Sequence, residues 1–239
     1  MMEFDREGRF VRTLGDGLFT SAHGLRIDGD DNIWTTDIGS HVVLRFNPEG
    51  RVTMVLGKTG LAGEWSEQFK MPLFNEPTDV AFGPSGDIFV SDGYGNSRIM
   101  KFDAGGSFIR SWGRSGTAPG EFDLPHAVVT DAKGLVYVAD RENKRIQVFN
   151  ADGEFVKEWS HVGCPYGLCL TPEQSLYVAD GRAERVLKMN LEGEILGSFG
   201  EPGKALGQFG WAHGIALGPE SEIYVAEILN WRVQKFVRS

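Results

Sequence analysis

Short runs of alternating apolar and polar residues recur along the whole chain, and no stretch keeps the spacing of a helix. Five segments align with one another: HGLRIDGDDNIWTTD, TDVAFGPSGDIFVSD, HAVVTDAKGLVYVAD, YGLCLTPEQSLYVAD and HGIALGPESEIYVAE, which start at residues 23, 78, 126, 166 and 213. Each contains an apolar strand, a turn rich in Gly, Asp or Pro, and a second strand that ends in an acid. The pattern predicts five copies of one β unit.

Each copy continues into a third strand, seen as HVVLRF, SRIMKF, KRIQVF, ERVLKM and WRVQKF. A fourth strand follows in four copies, as RVTMVLG, SFIRSWG, EFVKEWS and EILGSFG, but none follows Phe236. The segment FDREGRFVRTLG at residues 4–15 matches the missing strand. Four-stranded repeats of this kind are typical of an all-β propeller. We therefore expect one domain over residues 1–239, with five four-stranded blades, in which residues 4–15 complete the blade formed by residues 211–239. An incomplete six-bladed propeller is the alternative.

The acid that ends the second strand is present in every copy, and an arginine opens the third strand in four of the five. The acids are Asp37, Asp92, Asp140, Asp180 and Glu227, and the arginines are Arg98, Arg145, Arg185 and Arg232. A position shared by all copies serves the blade itself. We therefore predict that these residues form structural ion pairs that lock the turn between the two strands.

The column that opens the first strand differs between copies: it holds His23, Thr78, His126, Tyr166 and His213. The first strands of a propeller are innermost and run the same way, so one column becomes a ring around the central channel. Three neutral imidazoles that leave one position open are the ligand set of catalytic zinc. The column therefore favours a metal site formed by the three histidines.

Just beyond the acid column the copies also diverge. Tyr94 lies between glycines in SDGYGNSR, where its phenol can approach a ligand closely and lose its proton near a metal. Arg141 in ADRENKR has the fork geometry that binds a carboxylate through two hydrogen bonds. A loop tyrosine and a solvated surface arginine remain equally open interpretations of these two residues.

Composition excludes several classes of protein. The chain of 239 residues has 24 Lys and Arg against 33 Asp and Glu, a net charge of −9, which repels nucleic acid. No apolar run is long enough to span a membrane, and the start lacks a secretory signal. We expect a cytoplasmic protein as given, or a secreted or periplasmic one if an N-terminal leader is missing. Cys164 and Cys169 match no zinc or disulfide spacing and are predicted to be a buried thiol pair.

The motifs SDGYGNSRI, LPHAVV followed by VADRENKRIQVF, and HGLRIDGDDNIWTTD resemble the peptidyl-α-hydroxyglycine α-amidating lyases, a group within the NHL-repeat propellers. The resemblance covers nearly the whole chain. It implies a zinc lyase that cleaves a carbinolamide into an amide and glyoxylate. Three channel histidines bind zinc in that family and match His23, His126 and His213 here. The resemblance also implies that Tyr94 is the general base and that Arg141 positions the substrate.

The chain departs from that family at several positions. The family has six blades, and the blade that supplies a second arginine and a calcium ligand begins here only at its fourth strand. Gly214 stands where the family has a calcium-binding carboxylate, which leaves only the backbone of Leu25, so we expect no structural calcium. Trp211 replaces a methionine near the zinc. In a closed ring of five blades the three histidines would also be spaced unevenly, at roughly 144°, 144° and 72°.

The favoured function is a metal-dependent carbon–nitrogen lyase that takes a small-molecule or peptide-like substrate into the channel. The alternative is a non-catalytic NHL propeller that binds a protein partner on one face. A third possibility, a propeller enzyme acting on an ester or lactone, predicts a carboxylate-lined metal site, and the channel column contains no carboxylate.

Overall fold

The computed structural model describes residues 1–237, and all regular secondary structure in this range is β. A hairpin of β1 (Met2–Phe4) and β2 (Phe10–Thr13) starts the chain. The first blade contains β3 (Ala22–Ile27), β4 (Ile33–Asp37), β5 (Val42–Phe46) and β6 (Val52–Gly57), and a short hairpin of β7 (Trp65–Ser66) and β8 (Met71–Pro72) follows it. The second blade contains β9 (Pro77–Phe82), β10 (Ile88–Asp92), β11 (Arg98–Phe102) and β12 (Phe108–Trp112).

Three more blades complete the described chain. The third contains β13 (Pro125–Thr130), β14 (Val136–Asp140), β15 (Arg145–Phe149) and β16 (Phe155–Trp159). The fourth contains β17 (Pro165–Leu170), β18 (Leu176–Asp180), β19 (Arg185–Met189) and β20 (Ile195–Phe199). The fifth contains β21 (Ala212–Leu217), β22 (Ile223–Glu227) and β23 (Arg232–Phe236). The expected five-bladed propeller is thus confirmed. Within residues 1–237 no helix has the length and apolarity needed to cross a membrane.

Each blade is an antiparallel sheet whose strand order follows the chain from the channel outward. The turn between the first and second strands of the third blade shows why the sequence folds this way. The Asp131 carboxylate accepts hydrogen bonds from the backbone amides of Lys133 and Leu135, and Gly134 adopts a φ of 83° that favours glycine. This chemistry closes a tight hairpin and sets the register of β13 against β14.

The core lies between neighbouring blades. One cluster joins the second and third blades and includes Phe89, Val128 and Phe149, all at most 1% exposed. Another lies between the third and fourth blades and includes Leu168 on β17. Both faces of a middle blade are therefore buried, which is the source of most propeller stability. Of the two predicted buried thiols, Cys164 is buried whereas Cys169 is partly exposed.

The structural ion pairs predicted from the acid column are confirmed. Arginine Nε lies 2.9 Å from the carboxylate in Asp92–Arg98, 2.7 Å in Asp140–Arg145, 3.0 Å in Asp180–Arg185 and 2.7 Å in Glu227–Arg232. The first blade has Val42 where the other blades have this arginine, and Asp37 instead accepts hydrogen bonds from four backbone amides, those of Thr20, Ser21, Gly39 and Ser40. The column is part of the scaffold.

The first and fifth blades do not pack against each other as the other neighbours do. Each inner strand from β3 to β17 packs against the inner strand of the following blade, but within residues 1–237 no such packing joins β21 to β3. The hairpin of β1 and β2 lies on this side, where Met1 packs with the first blade. An exposed ion pair, Arg6–Glu220 at 3.2 Å, links it to the fifth blade. The ring is open between its first and last blades.

The N-terminal segment does not complete the fifth blade as expected. In the structure β2 pairs with β1, and the fifth blade has three strands. The reason is local: the Asp5 carboxylate accepts hydrogen bonds from the amides of Glu7 and Arg9 and closes a turn that folds residues 10–13 back onto residues 2–4. Phe4 then pairs with Phe10 as Phe149 pairs with Phe155 in the third blade. The hairpin therefore corresponds to the third and fourth strands of a blade.

Candidate metal centre

Three histidines from alternate blades meet in the channel. His23 lies on β3, His126 on β13 and His213 on β21, and one ring nitrogen of each lies within 4.8 Å of the other two. Their ring centroids are 4.8 Å (His23–His126), 5.1 Å (His23–His213) and 4.7 Å (His126–His213) apart. The three side chains form a nearly equilateral triangle; the uneven spacing was expected of a closed five-blade ring, and the ring here is open.

A β-bulge aims each histidine into the channel. In the third blade Pro125 pairs with Asp140 and Ala127 with Ala139, which leaves His126 unpaired between them. The same irregularity spans His23 between Ala22 and Leu25, and His213 between Ala212 and Gly214. A bulged residue leaves the ladder and its side chain turns away from the regular alternation. The column noted in the sequence is therefore a ring of bulges.

Backbone carbonyls fix the orientation of two of the imidazoles. His23 Nδ1 lies 2.7 Å from the Thr78 carbonyl oxygen, and His126 Nδ1 lies 2.5 Å from that of Tyr166. A carbonyl only accepts hydrogen bonds, so Nδ1 of each ring carries the proton and Nε2 keeps its lone pair. This arrangement, in which the distal nitrogen is held by a backbone oxygen, is typical of metal-binding histidines.

Burial keeps the three imidazoles neutral. It lowers the pKa of His23, and it lowers that of His126 well below the ordinary value, to which the neighbouring His23 and His213 also contribute. The pKa of His213 falls to about 4, first through burial and then through His23 and Arg141. All three are thus unprotonated at neutral pH, which is the form that binds a metal ion.

The Tyr94 hydroxyl lies between two of the histidines. Its oxygen is 3.2 Å from Nε2 of His23 and 3.1 Å from Nε2 of His126. Burial raises the pKa of this phenol, and the Arg141 guanidinium opposes that effect. The flanking glycines are required: a Cβ on Gly93 would lie 1.9 Å from the Pro125 carbonyl oxygen, and one on Gly95 would meet Asn75.

Arg141 lies beside the same hydroxyl. Its Nη1 is 3.5 Å from the Tyr94 oxygen, and its guanidinium carbon lies 5.5 Å from the Tyr94 ring centroid and 4.7 Å from that of Tyr166. Cation–π contacts of this kind hold a guanidinium in place without using all its donors. The structure thus brings all five predicted site residues together: the three histidines, Tyr94 and Arg141.

Sequence reasoning missed a buried ion pair below the histidines. Arg26 Nε and Nη2 lie 3.0 and 2.6 Å from the two carboxylate oxygens of Asp79, and Nη2 also donates to the Leu168 carbonyl at 2.9 Å. Asp79 accepts two further hydrogen bonds, from the amides of Val80 and Val128. The signal was available, because Arg26 and Asp79 stand in columns that are otherwise Gly, Ala, Val or Cys.

Trp211 and Tyr166 lie at the edge of the histidine site. The Trp211 ring stands edge-on to Tyr166 at 5.7 Å between centroids, and Tyr166 is 5.2 Å from His126 and 5.5 Å from His213. Tyr166 had been identified only as a member of the channel column. Its ring contacts His126, His213 and the Arg141 guanidinium.

Residues 74–102 and 122–149, in the second and third blades, match the NHL repeat. The chain contains NHL repeats. The chain is 41% identical over 142 residues to a probable peptidyl-alpha-hydroxyglycine alpha-amidating lyase of Caenorhabditis elegans, covering 58% of this chain and 39% of that protein. It is 35% identical over 148 residues to peptidyl-alpha-hydroxyglycine alpha-amidating lyase 1 of Drosophila melanogaster, covering 57% and 26%. The resemblance inferred from the motifs is therefore confirmed, but over 57–58% of the chain and not over nearly all of it.

Other similarities show the breadth of the architecture. NHL repeat-containing protein 3 of the mouse is 32% identical over 154 residues, covering 60% of this chain and 43% of that protein. A streptogramin B lyase structure superposes with a TM-score of 0.67 at 16% identity, covering all of this chain and 76% of that one. At that identity the superposition shows the fold alone. The chain spans less than half the length of these curated relatives.

Proposed function

We propose that this protein is a zinc-dependent carbon–nitrogen lyase that cleaves a carbinolamide into an amide and glyoxylate. The observation that carries the proposal is the convergence of three neutral imidazoles with the Tyr94 hydroxyl and the Arg141 guanidinium. The names of the relatives in worm and fly support the same reaction class.

The donor set fits zinc. Three histidine nitrogens suit this ion, and carbonyl oxygens hold the opposite nitrogens of His23 and His126. When bound, zinc would supply Lewis acidity that lowers the pKa of a hydroxyl group beside it. Nε2 of His23 and of His126 already approach one phenol oxygen, which supports access of an oxygen atom to these two nitrogens.

Tyr94 and Arg141 provide the remaining chemistry. Tyr94 in its phenolate form takes the proton of the carbinol hydroxyl, the carbon–nitrogen bond breaks with its electron pair going to nitrogen, and the oxygen becomes the aldehyde of glyoxylate. The proton then passes to the nitrogen, which leaves as a neutral amide. Arg141 binds the substrate carboxylate, which fixes the carbinol carbon beside the Tyr94 oxygen.

The electrostatics of Tyr94 are consistent with this role. A phenol is protonated at neutral pH because its ordinary pKa is about 10, and burial raises the pKa of Tyr94 further. Arg141 acts in the opposite direction, and a divalent cation among the histidines would add to its effect. The base is therefore expected to form only when cationic charge is present next to it.

The test is metal content together with turnover. Elemental analysis of protein purified without added metal should give about one zinc per chain, and His126→Ala should lose it. Tyr94→Phe should keep the zinc and lose at least a hundredfold in kcat on a carbinolamide substrate, the usual contribution of a general base. His161→Ala, whose imidazole contacts the Gly193 carbonyl in the fourth blade, is the control.

Each negative result has a defined meaning. A chain without zinc in both the wild type and His126→Ala contradicts the metal site and leaves the non-catalytic scaffold. Zinc without cleavage contradicts the lyase and leaves a metal-binding propeller with another substrate. Equal turnover by Tyr94→Phe and the wild type removes Tyr94 from the mechanism.

A further inference from the structure

A single carboxylate joins two arginines beside the candidate site. Glu142 Oε1 lies 2.9 Å from Nε of Arg141, and Glu142 Oε2 lies 3.0 Å from Nη2 of Arg182. Arg141 comes from the third blade and Arg182 from the fourth, each in the turn that follows the second strand. Glu142 therefore bridges two guanidinium groups that neighbouring blades place side by side.

The bridge is continuous with the histidine site. Arg141 reaches the Tyr94 oxygen, and that oxygen contacts His23 and His126. The side chains become more exposed with distance from the histidines: 12% for Arg141, 28% for Glu142 and 59% for Arg182. The cluster therefore runs from the histidine site out to the protein surface.

The composition of this cluster is specific to one place in the ring. The residue two positions after the acid is Gly39, Tyr94, Glu142, Arg182 or Leu229 in the five blades. Only the third and fourth blades carry charge there, and the two charges are of opposite sign. Neither arginine belongs to the acid-column pairs, which Arg145 and Arg185 supply in these blades. The scaffold therefore does not require Glu142 or Arg182.

Two guanidiniums that share one carboxylate have unused donors and a net positive charge. Arg141 engages Glu142 through Nε, and Arg182 through Nη2, so neither makes the two parallel hydrogen bonds that guanidinium offers a carboxylate. A ligand carboxylate that approaches from the histidine side can form hydrogen bonds with both arginines once the Glu142 side chain has turned toward solvent. Glu142 is already partly exposed, so its carboxylate can be hydrated when it leaves.

We infer that Arg182 is a second carboxylate-binding residue of the site and that Glu142 occupies this two-arginine subsite when no ligand is bound. The inference rests on the proposed function and deepens it, because it adds a second residue that recognises the carboxylate bound by Arg141. Glu142 lowers the affinity for such compounds by competing for both arginines. Arg182 sets specificity through the carboxylate and does not touch the bond that breaks.

The experiment measures binding without turnover. N-acetylglycine carries the carboxylate and lacks the hydroxyl that is needed for cleavage, and N-acetylglycinamide is its neutral counterpart. Calorimetric titration of the zinc-loaded protein should show that Arg182→Gln lowers the affinity for N-acetylglycine about tenfold, the effect of losing one charge-assisted interaction. Glu142→Gln should strengthen it severalfold. The affinity for N-acetylglycinamide should stay the same in both variants.

The control is Arg114→Gln, which removes an exposed arginine that is paired with Glu121 on a loop of the second blade. It should bind N-acetylglycine as the wild type does. The opposite directions expected for Arg182→Gln and Glu142→Gln separate the inference from misfolding, because a damaged fold does not strengthen binding.

Three results would overturn the inference. The first is that the wild type shows no detectable binding of N-acetylglycine. The second is that Arg182→Gln binds N-acetylglycine as tightly as the wild type does. The third is that Arg182→Gln loses affinity for N-acetylglycine and for N-acetylglycinamide equally. Failure of the proposed lyase function is a separate outcome, because zinc-loaded protein that binds N-acetylglycine through Arg182 and cleaves no carbinolamide keeps the subsite and loses only the reaction.

Discussion

The three middle blades and the open side of the ring hold the same histidine triangle in different ways. His126 belongs to the middle blades and is 2% exposed, whereas His23 and His213 lie in the blades that border the gap and are partly exposed. Strands of neighbouring blades pack against both sides of the β13 strand. The strands that carry the other two histidines have such a neighbour on one side only. One ligand is thus fixed by the core, and the other two depend on a single interface each.

Equivalent positions of the repeat show how large the difference is. Ile146 on β15 and Val233 on β23 occupy the same column, yet Ile146 is 0% exposed and Val233 is 64% exposed. On the far side of the gap, Leu25 and Ile27 of β3 are 53% and 61% exposed. The same sequence pattern therefore contributes core in one part of the ring and apolar surface in another.

The largest expected effect contrasts these two positions. Ile146→Ala should lower the free energy of unfolding by about 2–5 kcal/mol, because it leaves a cavity between packed blades. Val233→Ala should change it by less than about 0.5 kcal/mol, because the side chain is mostly in solvent. Chemical denaturation of both variants measures the two values. Similar losses at the two sites would mean that Val233 is covered in solution.

Zinc should strengthen the open side more than the middle blades. Binding at a hundred times the Kd stabilises a folded chain by about 2.7 kcal/mol, and His126→Ala should abolish this gain. Hydrogen exchange should slow most in β3 and β21, whose histidines come from the two sides of the gap. Thermal unfolding with and without zinc measures the total, and exchange that slows equally in all blades would contradict the asymmetry.

Acid should weaken the metal-free protein through the same histidines. Their folded pKa values lie below the ordinary 6.5, so the unfolded chain binds more protons as the pH falls. The stabilisation that comes from burying the histidines in their neutral form is complete above about pH 6.5. For His213 it is lost progressively toward its folded pKa of about 4, with a slope of up to about 1.4 kcal/mol per pH unit for one proton. Denaturation across this range should give a flatter curve for His213→Gln, and an unchanged slope would mean that His213 is not buried.

The smallest effect concerns the hairpin that lies beside the gap. Arg6→Ala removes the Arg6–Glu220 pair, whose side chains are 70% and 72% exposed. Exposed pairs of this kind contribute between about zero and 1 kcal/mol. We therefore expect a change in the free energy of unfolding below about 0.5 kcal/mol, measured beside Val233→Ala. A larger loss would show that the hairpin closes the ring more firmly than this single contact indicates.

The repeat made much of the fold and site predictable. Aligned copies gave the blades, and the separation of shared from divergent columns distinguished the ion pair of Asp140 and Arg145 from the channel histidines. This worked because equivalent residues of a repeat occupy equivalent positions, so a column in the alignment is a ring in space. Tyr94 and Arg141 were found by the same comparison, although their proximity to the histidines depended on loop geometry.

The shape of the ring could not be predicted in this way. An alignment identifies which strand a segment resembles but does not give its partner, and residues 10–13 pair with the hairpin strand nearest in sequence. The interblade angle also depends on whether the ring closes, so the uneven spacing expected of a closed ring does not describe these nearly equidistant imidazoles. Arg26 and Asp79, and likewise Glu142 and Arg182, come from neighbouring blades, and a comparison of columns does not show which side chains of two blades contact each other.

The Arg26 side chain limits how the first blade can move. It starts on β3, binds Asp79 in the second blade and donates a hydrogen bond to the Leu168 carbonyl in the fourth, so it links three blades across the channel. An outward movement of the first blade would separate the Arg26 guanidinium, whose side chain is only 19% exposed, from all three of its acceptor oxygens. Although β3 has a neighbouring blade on one side only, Arg26 thus holds the first blade in place, and the gap in the ring does not act as a hinge.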